Sequence, residues 1–236
     1  MYIQIKSKFL NTIILLFPIV FASAMVWLRI NHYSTYEIIG REDHIIEYSQ
    51  FFFFLFGGIV ALIIACKFKK ICKLMFFLFL FIAFGLIIVA GEEISWGERI
   101  FNIETHEIFD GKTKVPVLKY NVQGEMNLHN FKPIHNIVGY LYLIVGSYFI
   151  FSWIFAKTFL KSKKTLKPYL PFLIPPPLLS LYFLPVAINL FNRQKFGFPP
   201  QDYEMVEFLF SLGILIYLLL CYQYLKKNFK APTKKS

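Results

Sequence analysis

The chain has 236 residues, 57% of them hydrophobic and 19% aromatic, and a formal charge of +11. Its mean hydropathy is +0.55. One soluble core of this size cannot hide so much apolar surface, so the outside must be apolar as well. The positive charge does not indicate nucleic-acid binding, because the lysines fall between apolar runs rather than on one soluble face.

A bilayer core takes about 20 apolar residues of helix, and six runs of this kind follow one another along the chain. The first is Leu10 to Ile30. Lys6 and Lys8 precede it, and Ala22-Ser23-Ala24 resembles a signal-peptidase site. The apolar stretch continues through Met25, Val26, Trp27 and Leu28, which favours an uncleaved spanning helix. The second run is Tyr48 to Cys66, with Glu47 and Gln50 one turn apart at its start. No run alternates apolar with polar residues, which argues against a β-barrel.

The third run, Leu74 to Gly91, leads into Gly-Glu-Glu-Ile-Ser-Trp-Gly-Glu-Arg at 91–99. With no strong breaker present, the helix is expected to continue. Glu92, Ser95, Trp96 and Arg99 then share one face, with Glu93 beside them. From Lys73 to Glu92 is about 28 Å of helix, which puts the glutamates at the far edge of the hydrocarbon. A carboxylate pair there is expensive unless paired, hydrated or bound to a cation. The bland alternative is a set of interfacial charges with Trp96 as a belt residue.

Residues 92–136 form the longest stretch between runs and are expected to be a partly helical outer loop. Arg99 to Tyr120 mixes apolar and charged residues and is expected to lie along the headgroups. Then come Asn121, Gln123, Glu125, Asn127, His129, Asn130, His135 and Asn136. Two histidines, an acid and several amides suit proton transfer or a metal. No His-Glu-x-x-His spacing is present, and capping of the next helix is the competing explanation.

The fourth run is Ile137 to Ala156. The fifth, Tyr169 to Phe191, holds Pro175-Pro176-Pro177 and Pro185, so a kinked helix is expected, either beside an outward polar cavity or kinked simply for packing. Arg193 and Lys195 precede the sixth run, Met205 to Leu225, where Glu204 and Glu207 stand one turn apart. The helix dipole favours acids at such starts without any function.

Charge sets the orientation. Segments 1–9, 67–73, 157–168 and 226–236 carry 16 lysines and no acid, while the opposite segments carry all 14 acids, all five histidines and all four arginines. The lysine-rich side is therefore expected in the cytoplasm, with both ends inside. Cys66, Cys72 and Cys221 fall at that side, where thiols stay reduced. The whole of 1–236 reads as a single all-α transmembrane domain, and the tail from Lys226 is expected to meet anionic headgroups.

Certain motifs carry a resemblance. Arg41-Glu42-Asp43 with Glu47, then Gly91-Glu92-Glu93-Ile94-Ser95-Trp96-Gly97-Glu98-Arg99-Ile100-Phe101, then Asn121 with Gln123-Gly124-Glu125 and Asn127-Leu128-His129-Asn130 stand in this order. Together they resemble a family of uncharacterised bacterial polytopic inner-membrane proteins. Glu98 departs from that pattern, which has Gln. The resemblance implies a multi-pass protein of the bacterial cytoplasmic membrane with a shared site on its periplasmic or extracellular face, and no particular reaction. A weaker similarity is to CAAX-type glutamate intramembrane proteases. Arg99 lies two residues too far from Glu92-Glu93 for that pattern, and the histidines fall in a loop.

The functional reading is an enzyme at the outer leaflet, a hydrolase or transferase for a lipid or lipid-linked substrate. Glu92 or Glu93 is the candidate base and His129 the acid or metal ligand. Trp96, Arg99, Gln123, Glu125, Asn127, Asn130, Arg193, Glu47 and Glu207 are the candidate substrate contacts. Nothing in the sequence requires a cofactor, and His129 with His135 leaves a divalent metal open. Partners are then membrane lipids, a lipid-linked substrate or another membrane protein, and not nucleic acid. The alternatives are proton- or cation-coupled binding or transport, and a non-enzymatic assembly partner.

Overall fold

The computed structural model describes residues 2–5, 7–41, 44–101, 107–110, 113–116, 132–159, 167–192 and 200–229. For 99–100, 107–110, 113–116, 132–136, 155, 157–159, 187–192 and 200 only the backbone is described. The helices are α1 (Lys8–Asn31), α2 (Tyr33–Ile39), α3 (Ile45–Phe68), α4 (Lys73–Glu93), α5 (Glu98–Phe101), α6 (Lys132–Phe159), α7 (Leu170–Leu173), α8 (Ser180–Asn192) and α9 (Pro200–Asn228). Two short strands, β1 (Glu107–Asp110) and β2 (Thr113–Pro116), pair antiparallel between α5 and α6.

Five of these helices are long and apolar enough to cross a membrane: α1, α3, α4, α6 and α9. Their outer surfaces are apolar too. Phe77, Phe81 and Phe84 form a stripe on α4 and are 61%, 78% and 60% exposed, which no water-facing helix sustains. This is the architecture of a multi-pass membrane protein.

The core is built by α3 packed along α4 and α9. Gly58 permits the first of these approaches, since a Cβ there would stand 2.8 Å from Ile87 and 3.2 Å from the Ala83 carbonyl. Aromatic rings close the end of the bundle that carries Lys67, Lys69, Lys70, Lys226 and Lys227. There Phe68 meets Phe172 edge-on at 5.0 Å, Tyr169 at 6.1 Å and Phe229 at 5.9 Å. The lysine-bearing helix ends thus lie together, and the acid-bearing ends lie together at the opposite end.

Two expectations are corrected. The fifth run is not one helix. α7 ends at Leu173, the chain is extended at Ile174 and Pro176, and a 3-10 turn at Pro177–Leu179 leads into α8. The cause is Pro175-Pro176-Pro177, which have no amide hydrogen to continue α7. The break lies toward the lysine-rich end, away from the acids, so it does not open the expected outward cavity. The carbonyls it frees are taken up by neighbours: Tyr217 donates to Phe172 O at 2.6 Å, and Tyr148 donates to Leu173 O. Pro18 inside α1 frees Ile14 O in the same way, and Tyr182 donates to it at 2.9 Å.

The second correction concerns 92–136. Besides the helical turns up to Phe101, the described part holds the β1–β2 hairpin, with Ile108 opposite Val115 and Phe109 opposite Lys114. In the sequence, Asp110-Gly111 is a strong hairpin signal. The fold is therefore helical, as expected, with one small hairpin among the described residues. α6 also starts earlier than expected, at Lys132 with Pro133 in its first turn. His135 consequently lies inside a helix and not in a loop.

Candidate functional site

The acid-bearing end is organised around the first turns of α3 and α9 and the last turn of α4. Gln50 on α3 is fully buried, and its amide nitrogen donates to the backbone carbonyl of Glu204 at 3.0 Å and to Glu204 Oε2 at 3.1 Å. Its own Oε1 is buried without a hydrogen-bond partner. One turn earlier, Glu47 is buried. Glu92 and Glu93 end α4, and both are buried although each is a carboxylate. Buried carboxylates need partners; Glu47, Glu92 and Glu93 have them, as do the half-buried Glu204 and Glu207.

From α6, Tyr142 reaches into the same end. Its phenol lies within electrostatic range of Glu207, Glu93 and Glu204, and its ring packs edge-on against Phe210 at 4.6 Å. Glu93, Glu204 and Glu207 therefore act electrostatically on one hydroxyl contributed by a different helix. Sequence reasoning missed Tyr142, since one tyrosine in an aromatic-rich run carries no signal of its own.

α4 stops sooner than expected. Ser95, Trp96 and Gly97 take left-handed backbone angles, with φ of 45°, 54° and 93°. The helix is terminated there, and Gly97 supplies the position that tolerates it. Glu92, Ser95, Trp96 and Arg99 thus do not share a helical face. Trp96 nonetheless returns to Glu92: its Nε1 donates to Glu92 Oε1 at 2.5 Å. The ring lies flat against Gly91, where a Cβ would stand 2.9 Å from it. Ser95 is fully buried in this turn. Two consecutive non-glycine residues with left-handed angles store strain of about 1–2 kcal/mol each.

A second polar cluster stands on the other side of α9. Asp202 accepts from Tyr36 of α2 at 2.5 Å and pairs with Arg29 of α1 at 2.9 Å. Burial first, and then the hydrogen bond to Asp202, raise the Tyr36 hydroxyl above its ordinary range. These three residues were also absent from the sequence-based candidates.

Of the expected site residues, Glu47, Glu92, Glu93 and Glu207 lie at this end, and Trp96 is tied to Glu92. His129, Gln123, Glu125, Asn127, Asn130 and Arg193 lie outside the described residues, and the side chains of Arg99 and His135 are not described. Among the described residues no group of three or more His, Cys, Asp or Glu is placed to hold a metal. Compared with family models, curated proteins and solved structures, the chain matches none of them.

Proposed function

We propose that the chain acts on a lipid or lipid-linked substrate at the outer leaflet of a bacterial cytoplasmic membrane, as a hydrolase or transferase. The observation that carries this reading is the burial of Glu47, Glu92 and Glu93 at the same end of the bundle where Gln50 donates to Glu204. That end is where a spanning bundle meets lipid headgroups. By the positive-inside rule the opposite, lysine-rich end lies in the cytoplasm.

In this reading Glu93 or Glu92 takes a proton from the attacking group as general base. Tyr142 supplies a hydroxyl that carries a proton between carboxylates or donates to a developing oxyanion. His129 serves as the acid, and Arg99 and Arg193 hold the anionic headgroup. Trp96 and Gln50 orient Glu92 and Glu204 through the hydrogen bonds each makes.

The test is a deletion strain complemented with wild type or Glu93→Gln, with envelope lipids and lipid-linked glycans compared. The variant is expected to leave the deletion's lipid changes in place. Full restoration by Glu93→Gln would remove the catalytic role. The pairing of buried Gln50 with half-buried Glu204 favours one second reading, coupling to a proton or cation. Proton flux into proteoliposomes that depends on Glu204, with unaltered lipids, selects that reading instead.

A further inference from the structure

α9 presents different chemistry on its two sides. Glu204 turns toward α3, whereas Asp202 turns toward α1 and α2. On the Asp202 side a groove of about 270 Å³ runs between α1 and α9. Its apolar walls include Ala22, Met25, Val206 and Leu209, and its floor includes Phe21. Phe21 stacks on Phe208 of α9 at 4.7 Å.

The polar lining residues stand toward one end, Arg29 in the last turn of α1 and Asp202 in the first turn of α9, with Tyr36 of α2 beside them, which makes that end the polar mouth. The Arg29 side chain is 37% exposed and the Asp202 side chain 13% exposed. Asp202 is thus the inner partner, held by Tyr36 as well, and it ion-pairs with a guanidinium that is partly exposed. From Arg29 to Phe21 is eight residues of α1, or about 12 Å along the helix axis. The groove therefore descends from the headgroup level of α1's last turn into the hydrocarbon layer. A water-soluble ligand does not fit a slot whose length lies in hydrocarbon. An acyl chain does, and the cation at the mouth stands where the phosphate of that chain's headgroup would lie.

We propose that this groove binds one anionic phospholipid, with an acyl chain along Ala22, Met25, Val206 and Leu209 and its phosphate on Arg29. The lipid joins α1 and α2 to α9 on the side away from the glutamates. The site is separate from the one under Proposed function and does not depend on it.

The test is native mass spectrometry of the purified full chain with equal amounts of phosphatidylglycerol and phosphatidylcholine. Wild type is expected to retain one phosphatidylglycerol in preference to phosphatidylcholine. The preference is less than the roughly fivefold that one unpaired cationic side chain is worth at a membrane surface, because Asp202 offsets part of the Arg29 charge. Arg29→Gln is expected to bring the two lipids to parity, and Arg29→Lys to keep the preference. Ala22→Phe fills the apolar slot without touching the polar mouth, so it is expected to lower retention of both lipids. Equal retention of the two lipids by wild type overturns the proposal. So does wild-type binding by both Arg29→Gln and Ala22→Phe. A dimer in place of a lipid adduct overturns it too, because a second copy then fills the groove. Should Arg29→Gln fail to fold, the Ala22→Phe and Arg29→Lys results decide alone.

Discussion

The hydroxyl of Tyr182 donates to the carbonyl of Ile14 at 2.9 Å, and Ile14 stands four residues before Pro18. In an unbroken helix the amide of residue 18 would fill that carbonyl. Proline has none, and in an apolar surround an unfilled carbonyl is costly. Tyr182→Phe is expected to lose about 1–2 kcal/mol in a denaturant titration of the detergent-solubilised protein. In a Pro18→Ala background the amide returns, so the same substitution should cost well under half as much. Equal costs in the two backgrounds would show that the hydroxyl does not substitute for the missing amide.

Tyr36 yields a pH dependence. Its hydroxyl is raised above the ordinary value of 10.0 by burial, by the hydrogen bond to Asp202 and by the charge of Asp202, with Arg29 opposing. In the unfolded chain the same group ionises near its ordinary value. Its contribution is therefore fully present below about pH 10 and is lost as pH rises above that. Unfolding midpoints in detergent should fall more steeply above pH 10 for wild type than for Tyr36→Phe. At pH 7 that variant should be less stable, by about 1.5–3 kcal/mol for the lost hydrogen bond to a charged group. Parallel pH curves would count against this account.

Helix positions were legible because hydropathy reports contact with lipid, which is a local property. The runs at Leu74–Gly91 and Tyr48–Cys66 anticipate α4 and α3 to within three residues at each end. Proline was legible as a break, but which end of the bundle it served was not, since Phe172 O and Leu173 O are rescued by tyrosines far along the chain. The Ser95–Gly97 turn was hidden because one glycine in a helical pattern is a weak stop. The hairpin had its signal in Asp110-Gly111, set among residues that alternate as a strand does. Tyr36, Arg29 and Asp202 meet across 166 residues of sequence separation for the Tyr36–Asp202 bond, and no local pattern encodes such a meeting.

The Trp96 ring depends on Gly91. A Cβ at position 91 would come within 2.9 Å of the ring, so Gly91→Ala must push the indole away from Glu92. With Trp27 and Trp153 replaced by Phe, the emission of the remaining Trp96 should change in Gly91→Ala. The Nε1–Glu92 hydrogen bond should be lost at a cost of about 1.5–3 kcal/mol, the range for bonds to a charged group. An unchanged spectrum would mean that the ring accommodates the methyl group in place.

Gln50 joins α3 to α9 at the candidate site. It is fully buried, and its amide nitrogen spends both of its hydrogen bonds on Glu204. Gln50→Leu keeps much of the volume but removes both donors, leaving a carbonyl and a carboxylate short of one partner each. The expected cost is about 1–2 kcal/mol, because water reaches the half-buried Glu204 and replaces the lost donors only in part. Glu204→Gln restores no donor to the carbonyl yet removes the carboxylate's charge, so Gln50→Leu should cost less in that background. The difference is the pair's coupling energy, expected at about 1 kcal/mol or more for residues in direct contact. If the two substitutions add without coupling in the denaturant titration, Gln50 is only filling space. Its role in holding Glu204 toward Tyr142 and Glu93 would then fall with it.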